Sequence, residues 1–166
     1  MNAPAIDSAT FRKVLGHYPT GVCVITAMDE ESRPLGMVVG SFTSVSLDPP
    51  LVGFLPDKNS NTWNQIEKVG HFCVNVLASG QRDTCSALAS RSPDKFESVE
   101  YTLSMHGQPV IAGTVARIHC ALDKVVDAGD HWFVLGRVLG LDADMDTDAD
   151  PMLCYKGRYG GFAEIA

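Results

Sequence analysis

The sequence has no GxGxxG turn, no Walker-type lysine loop, no HExxH helix and no GxSxG elbow. The first absence excludes the Rossmann mode of holding a dinucleotide; the others remove nucleoside-triphosphate, zinc-protease and α/β-hydrolase chemistry. No two cysteines stand at CxxC spacing, and the five present (Cys23, Cys73, Cys85, Cys120 and Cys154) are widely separated and odd in number. That argues against a disulfide framework or a zinc site, and it fits small buried hydrophobes in a reducing cytoplasm. No run of about 18 apolar residues occurs, so no membrane span is expected. Met1 to Ser8 carries no basic stretch followed by an apolar one, so no secretory leader is expected either. Positive charge is scarce: 13 Lys and Arg stand against 20 Asp and Glu, a formal net charge of −7. Nucleic-acid binding needs clustered cations against phosphates, so that class is set aside.

What is present suits one globular domain over residues 1–166, with an ordinary apolar share of 45%. A first helix is expected after an Asp7 or Ser8 cap, with Phe11, Val14 and Leu15 at helical spacing, ended by Pro19 and Gly21. Gly21 to Ala27 reads as a strand, and polar Asp29 to Pro34 as the turn of a hairpin into Leu35–Gly40. Phe42 to Ser46 continues extended, and Asp48-Pro49-Pro50 forces a turn before Leu51–Leu55. The spacing predicts a second helix over Asn61–Val69 with Ser60 as cap, a strand over Phe72–Leu77 and a third helix over Gln81–Ala89. Long strands follow at Thr114–Val126, where His119 is expected to point outward, and at Trp132–Leu141. The Asp-rich run from Asp142 to Asp150 reads as an exposed loop. Many strands on short connections, without β-α-β alternation, predict a mainly β fold with a few helices, an antiparallel barrel whose closure removes exposed edges.

Five segments can carry chemistry, each with an ordinary alternative. In Gly36 to Ser46, GMVVGSFTSVS, the polar Ser41, Thr43, Ser44 and Ser46 surround Phe42 just after Gly40, where a flat ring can approach the main chain; composition alone favours a plain polar edge strand. In Asp57 to Trp63, DKNSNTW, a helix begins whose unpaired amides attract phosphate, with Lys58, Ser60 and Thr62 adding a charge and hydroxyls; ordinary capping needs only Ser60 or Asn59. His131, in AGDHWFVLG, follows a Gly-Asp turn and can serve a nicotinamide or a proton step, or be a turn histidine. Arg91 and Lys95, in SRSPDKF, can meet a phosphate or pyrophosphate, or be solvated charges after a helix. Tyr159, in YKGRYGGF, can stack on a ring or close the core.

Together these stretches resemble the short-chain flavin reductases, the reductase components of two-component flavin-dependent monooxygenases. The resemblance rests on PTGVCVIT (Pro19 to Thr26), GMVVGSFTSVSLDPPLV (Gly36 to Val52), DKNSNTW (Asp57 to Trp63), FCVNVLASGQ (Phe72 to Gln81), SPDKF (Ser92 to Phe96), AGDHWFVLGRV (Ala128 to Val138) and YKGRY (Tyr155 to Tyr159). It covers nearly the whole chain and implies a Greek-key split β-barrel of the FMN-binding type, forming a homodimer with flavin sites near the subunit interface. It implies that Val38, Val39, Gly40, Ser41, Phe42, Thr43 and Ser44 line the isoalloxazine, largely through main chain. Lys58, Asn59, Ser60, Asn61 and Thr62 would hold phosphate, and His131 would lie near the nicotinamide. The family often has Thr where Val38 stands and Asn where Gly40 stands. Losing those side chains removes ring contacts of roughly 1 kcal/mol each.

The function these readings support is an NADH:flavin oxidoreductase, with FMN or FAD as acceptor and NADPH as the competing donor. Reduced flavin would pass by diffusion to a separate oxygenase. A flavin-binding or electron-carrier module on the same barrel is the alternative. A pyridoxamine-phosphate oxidase would need a dense arginine cluster that the sequence does not show.

Overall fold

The structure, a computed structural model, describes residues 5–143 and 149–165. The helices are α1 (Ser8–Leu15), α2 (Asn61–Val69) and α3 (Arg82–Ala89). The strands run β1 (Thr20–Gly21), β2 (Cys23–Met28), β3 (Pro34–Val39), β4 (Thr43–Leu47), β5 (Pro50–Phe54), β6 (His71–Val76), β7 (Tyr101–Leu103), β8 (Pro109–Ile111), β9 (Ala116–Ala128), β10 (His131–Ala143), β11 (Leu153–Tyr155) and β12 (Arg158–Gly160). Residues 144–148 of the expected Asp-rich loop lie outside the described residues; Asp142 itself belongs to β10.

Seven strands form one antiparallel sheet in the order β3-β2-β6-β9-β10-β5-β4. Its two edge strands are consecutive in sequence, joined only by Gly40, Ser41 and Phe42. A link of that length spans at most about 14 Å. The sheet must therefore roll until its edges nearly meet, which makes a barrel with a split at this seam. Ser41 ties the seam shut: its Oγ accepts from the Leu55 amide at 2.9 Å and donates to the Leu55 carbonyl at 3.5 Å.

The inner face follows the period of two in each strand. Cys23, Ile25 and Ala27 of β2, Phe72 and Val74 of β6, and Ile118 and Cys120 of β9 all point inward. α2 plugs the barrel with Trp63 and Ile66, and Phe54 stands edge-on to Trp63 (5.6 Å, 82°) and to Phe72 (5.4 Å, 76°). Such T-shaped pairs add to the area they bury. Gly136 must be glycine here, since a Cβ would come within 2.5 Å of the Phe72 ring.

The outer face of β2 and β6 is covered as well. Val22, Val24 and Leu77 pack with Cys85 and Leu88 of α3, with Ile111 and with Met152. Beside them the β7–β8 hairpin is held by polar contacts: Thr26 Oγ1 donates to the Pro109 carbonyl, Asn75 Nδ2 to Thr26 Oγ1, and the Ile111 amide to Asn75 Oδ1. His119 belongs to this layer. His119 points out of the barrel interior as expected, yet it is not a surface residue: the hairpin buries it to 8% exposure with Nδ1 3.0 Å from Gln108 Oε1. Burial lowers its pKa, with the nearby His106 as the next cause.

α1 forms as expected, with the Asp7 carboxylate accepting from the Ala9 and Thr10 amides. None of its residues is buried. No helix among the described residues is long and apolar enough to cross a membrane.

Candidate active site

The free edge of β3 is where a ring can lie. Among the described residues β3 pairs only with β2, through Leu35, Met37 and Val39 opposite Ala27, Ile25 and Cys23. Main-chain groups alternate in direction along an antiparallel edge strand. Lys95 Nζ donates to the Gly36 carbonyl at 3.3 Å from the open side. By the same alternation, the N–H and C=O of Val38 and Gly40 also face out of the sheet, unpaired by any strand. The side chains here are otherwise engaged. Val39 is buried in the barrel, Phe42 packs against that core and Val38 against the outer one. The missing side chain of Gly40 points at Thr20, whose Oγ1 lies 3.0 Å from where a Cβ would be. Gly40 thus makes room for Thr20 rather than for a ring. Thr43 and Ser44 are exposed on the opposing edge, while the Ser41 hydroxyl is spent on the seam. What remains for a planar ligand is a strip of main-chain donors and acceptors.

At the Gly36 end of this strip opens a cavity of about 650 Å³. Asn59, Ser60, Asn61 and Thr62 line one side, and Arg91 and Lys95 the other. Ser60 caps α2 by accepting from the Trp63 amide at 3.1 Å. The Asn61 and Thr62 amides, in the first turn, have no intrahelical acceptor and point their share of the helix dipole into the opening. Among the described residues no carboxylate lines the cavity, and loss of solvent holds the Lys95 ammonium below its ordinary value of 10.5. A helix N-terminus, hydroxyls and two cations without an acid suit a phosphate. Ser90, Ser92 and Gln65 also line it. The sequence reading passed over them; the serines flanking Arg91 were the available signal.

Lys58 is not brought to this cavity. Its ammonium pairs with Asp127 and sits 4.5 Å over the Trp132 ring. His131 is brought close: it bridges to Asp57, while the Lys58 amide donates to the Asp130 carbonyl and the Trp132 amide to the Pro56 carbonyl. The His131 Nδ1 lies 2.7 Å from Asp130 Oδ1. A carboxylate only accepts, so Nδ1 carries the proton and Nε2 is left without a partner among the described residues. That bond is also what lowers the Asp130 pKa. Tyr159 lies elsewhere, against α3, where contact with the Cys85 thiol pushes its hydroxyl up to about 12.

These features define a split-barrel protein that offers a flat ring a backbone edge and a phosphate a helix N-terminus. Residues 15–163 match the model of the flavin reductase like domain, and the chain belongs to that family. It is 53% identical to a flavin reductase of Pseudomonas putida, over 97% of this chain and 94% of that one. Its fold matches nitrilotriacetate monooxygenase component B from Mycobacterium thermoresistibile with a TM-score of 0.91 at 44% identity, covering 97% and 89% of the two chains. It also matches the NADH:FAD oxidoreductase SgcE6 of Streptomyces globisporus, in complex with NAD and FAD fragments, with a TM-score of 0.88 at 36% identity over 97% and 98%.

Proposed function

We propose that this chain is an NADH-dependent flavin reductase that hands reduced flavin to a separate flavin-dependent oxygenase. The observation that carries the reading is the continuity of an acid-free, cationic cavity with the unpaired edge of β3. FMN and FAD share the ring and the first phosphate that this pair of features fits. A bound flavin supplies the ring that accepts hydride. The protein's part is to hold that ring along Val38–Gly40, to anchor phosphate with Ser60, Thr62, Arg91 and Lys95, and to present His131 Nε2 beside it. Few side chains grip the ring, which suits a ligand that must leave. Relatives of the family include nitrilotriacetate monooxygenase component B and an NADH:FAD oxidoreductase, which supports the donor and the oxygenase partner.

The homodimer belongs to the same proposal. Phe11, Val14 and Leu15 of α1 are 56%, 61% and 50% exposed, and Leu47 is 96% exposed. A second copy would cover such apolar surface, and light scattering reads the mass directly.

The test is NADH consumption by the purified chain with FMN, with FAD and with neither. Turnover that requires added flavin is expected, and it ranks the two flavins; NADPH in place of NADH ranks the donors. Flavin retained through gel filtration without turnover would replace the reductase by the carrier module. His131→Ala is expected to slow flavin reduction more than it weakens flavin binding.

A further inference from the structure

A cavity of about 590 Å³ opens between the β7–β8 hairpin and the far ends of β9 and β10. It is remote from the candidate active site. His131 begins β10 and Gly140 lies nine residues on, about 30 Å along an extended strand. We propose that this cavity is a binding site for a phenol, an uncharged ring whose hydroxyl donates to His119 Nε2. The assignment does not depend on the reductase reading.

The floor of the cavity is a β-bulge. Val138 stands opposite Cys120 and Gly140 opposite His119, so Leu139 is the extra residue. Gly140 keeps a side chain out from between two imidazoles, since a Cβ there would lie 3.7 Å from both His106 Nε2 and His119 Cδ2. The two rings are 5.3 Å apart and tilted by 43°. His119 Nδ1 faces Gln108 Oε1, an amide oxygen that only accepts, so Nδ1 carries the proton and Nε2 is a bare acceptor. Nε2 has no partner among the described residues. The fully enclosed side-chain atoms in that position are Trp63 Nε1 and Gln108 Nε2, so His119 Nε2 opens on the cavity that its ring lines. An unpaired acceptor on a buried ring is costly, and a donor supplied by a ligand removes that cost.

The surroundings select an uncharged ligand. Asp142 and Arg117 line the cavity but pair with each other at 2.9 Å, and Arg117 Nε also donates to Thr114. Burial, and then the nearby His106, hold the His119 pKa below its ordinary 6.5, so that ring is neutral at neutral pH. No group of three His, Cys, Asp or Glu among the described residues is arranged to hold a metal. An ion of either sign would find its counter-charge already paired. Much of the remaining wall is apolar, with Met105 and Leu141 94% and 76% exposed. A ring would cover that surface. A thioether and two imidazoles favour an aromatic body over an aliphatic one. A phenolic hydroxyl, more acidic than an alcohol, is the stronger donor to a bare nitrogen.

The experiment is calorimetric titration of phenol into the full chain, with anisole, benzoate and cyclohexanol titrated beside it. Anisole keeps the ring and lacks the donor. Phenol is expected to bind about tenfold more tightly than anisole, the size of one hydrogen bond to a buried acceptor. Benzoate and cyclohexanol are also expected to bind more weakly than phenol. In the parent protein, the His119 ring-proton resonance should move with phenol and stay still with anisole, a measurement that needs no variant. Gly140→Ile fills the floor and should abolish phenol binding in protein whose circular dichroism matches the parent. Saturating FMN should leave the phenol isotherm unchanged. No phenol binding, anisole binding as tight as phenol, or undiminished binding by folded Gly140→Ile overturns the proposal. Displacement of phenol by FMN overturns it as well, because the ring would then lie on the flavin strip. A chain that binds phenol in this way but oxidises no NADH would overturn the reductase reading alone.

Discussion

Around Phe54 and Phe72 the barrel wall is bonded on both sides, with β6 held between β2 and β9 and β5 between β10 and β4. There the main chain is saturated and side chains carry the energetics. At the split between β3 and β4 the roles reverse. Val38, Val39, Phe42 and Ser41 are absorbed by packing and by the seam, and the backbone of the edge is left to interact. Side-chain changes should therefore injure stability in the wall, and should injure ligand binding at the split only where a charge or a main-chain group is touched.

The sharpest break in that contrast is Phe72→Ala, which empties the ring cluster and should cost about 3–5 kcal/mol in urea unfolding, with flavin KM of the folded protein little changed. At the split, Lys95→Met should raise flavin KM about tenfold near neutral pH, the size of one charge-assisted phosphate contact. Because desolvation lowers the Lys95 pKa from 10.5, the native lysine loses its charge at lower pH than a free lysine does. The gap between the two proteins should then close as pH rises, in a KM-against-pH series. In the wall, the His119 pKa lies below its ordinary 6.5 because burial disfavours the charged ring. The unfolded chain then takes up the proton first, so stability falls as pH drops below about 6.5. His119→Gln should flatten that slope in thermal melts taken across the acid range. The smallest effect is expected of Val38→Thr. Its side chain packs against the outer core, so the new hydroxyl should cost about 1 kcal/mol of stability and move flavin KM less than about twofold. A large gain in flavin affinity would show that this side chain faces the ring after all.

The parts of the fold that were legible in the sequence are those with local causes. α2 spans Asn61–Val69 under its Ser60 cap as the spacing and the cap require, and the β2–β3 hairpin turns at Asp29–Pro34. The strand through Ile118 and Cys120 was equally plain from its alternation. His119 does point out of the barrel as its alternation requires; its burial was not legible because its covering, the β7–β8 hairpin, is a short non-local element whose three-residue strands carry no periodic signal. β11 and β12 escaped for the same reason. In the candidate site, Ser60, Thr62, Arg91 and Lys95 were picked out from two segments some thirty residues apart, and folding brings them to one cavity. Lys58 was chosen with them on charge and spacing, but its partners Asp127 and Trp132 lie far along the chain and draw it aside.

The two tryptophans stand in the two regions contrasted above. Trp63 is fully buried among apolar rings, its indole nitrogen without a partner among the described residues, whereas Trp132 is half-buried beneath the Lys58 ammonium and next to His131. Their emission should therefore differ in colour, blue-shifted from the first and red-shifted from the second. Resonance transfer to a docked flavin would quench the tryptophan light, and the blue-shifted component follows the packing of the core, so the protein carries its own optical gauge of ligand occupancy alongside one of core integrity.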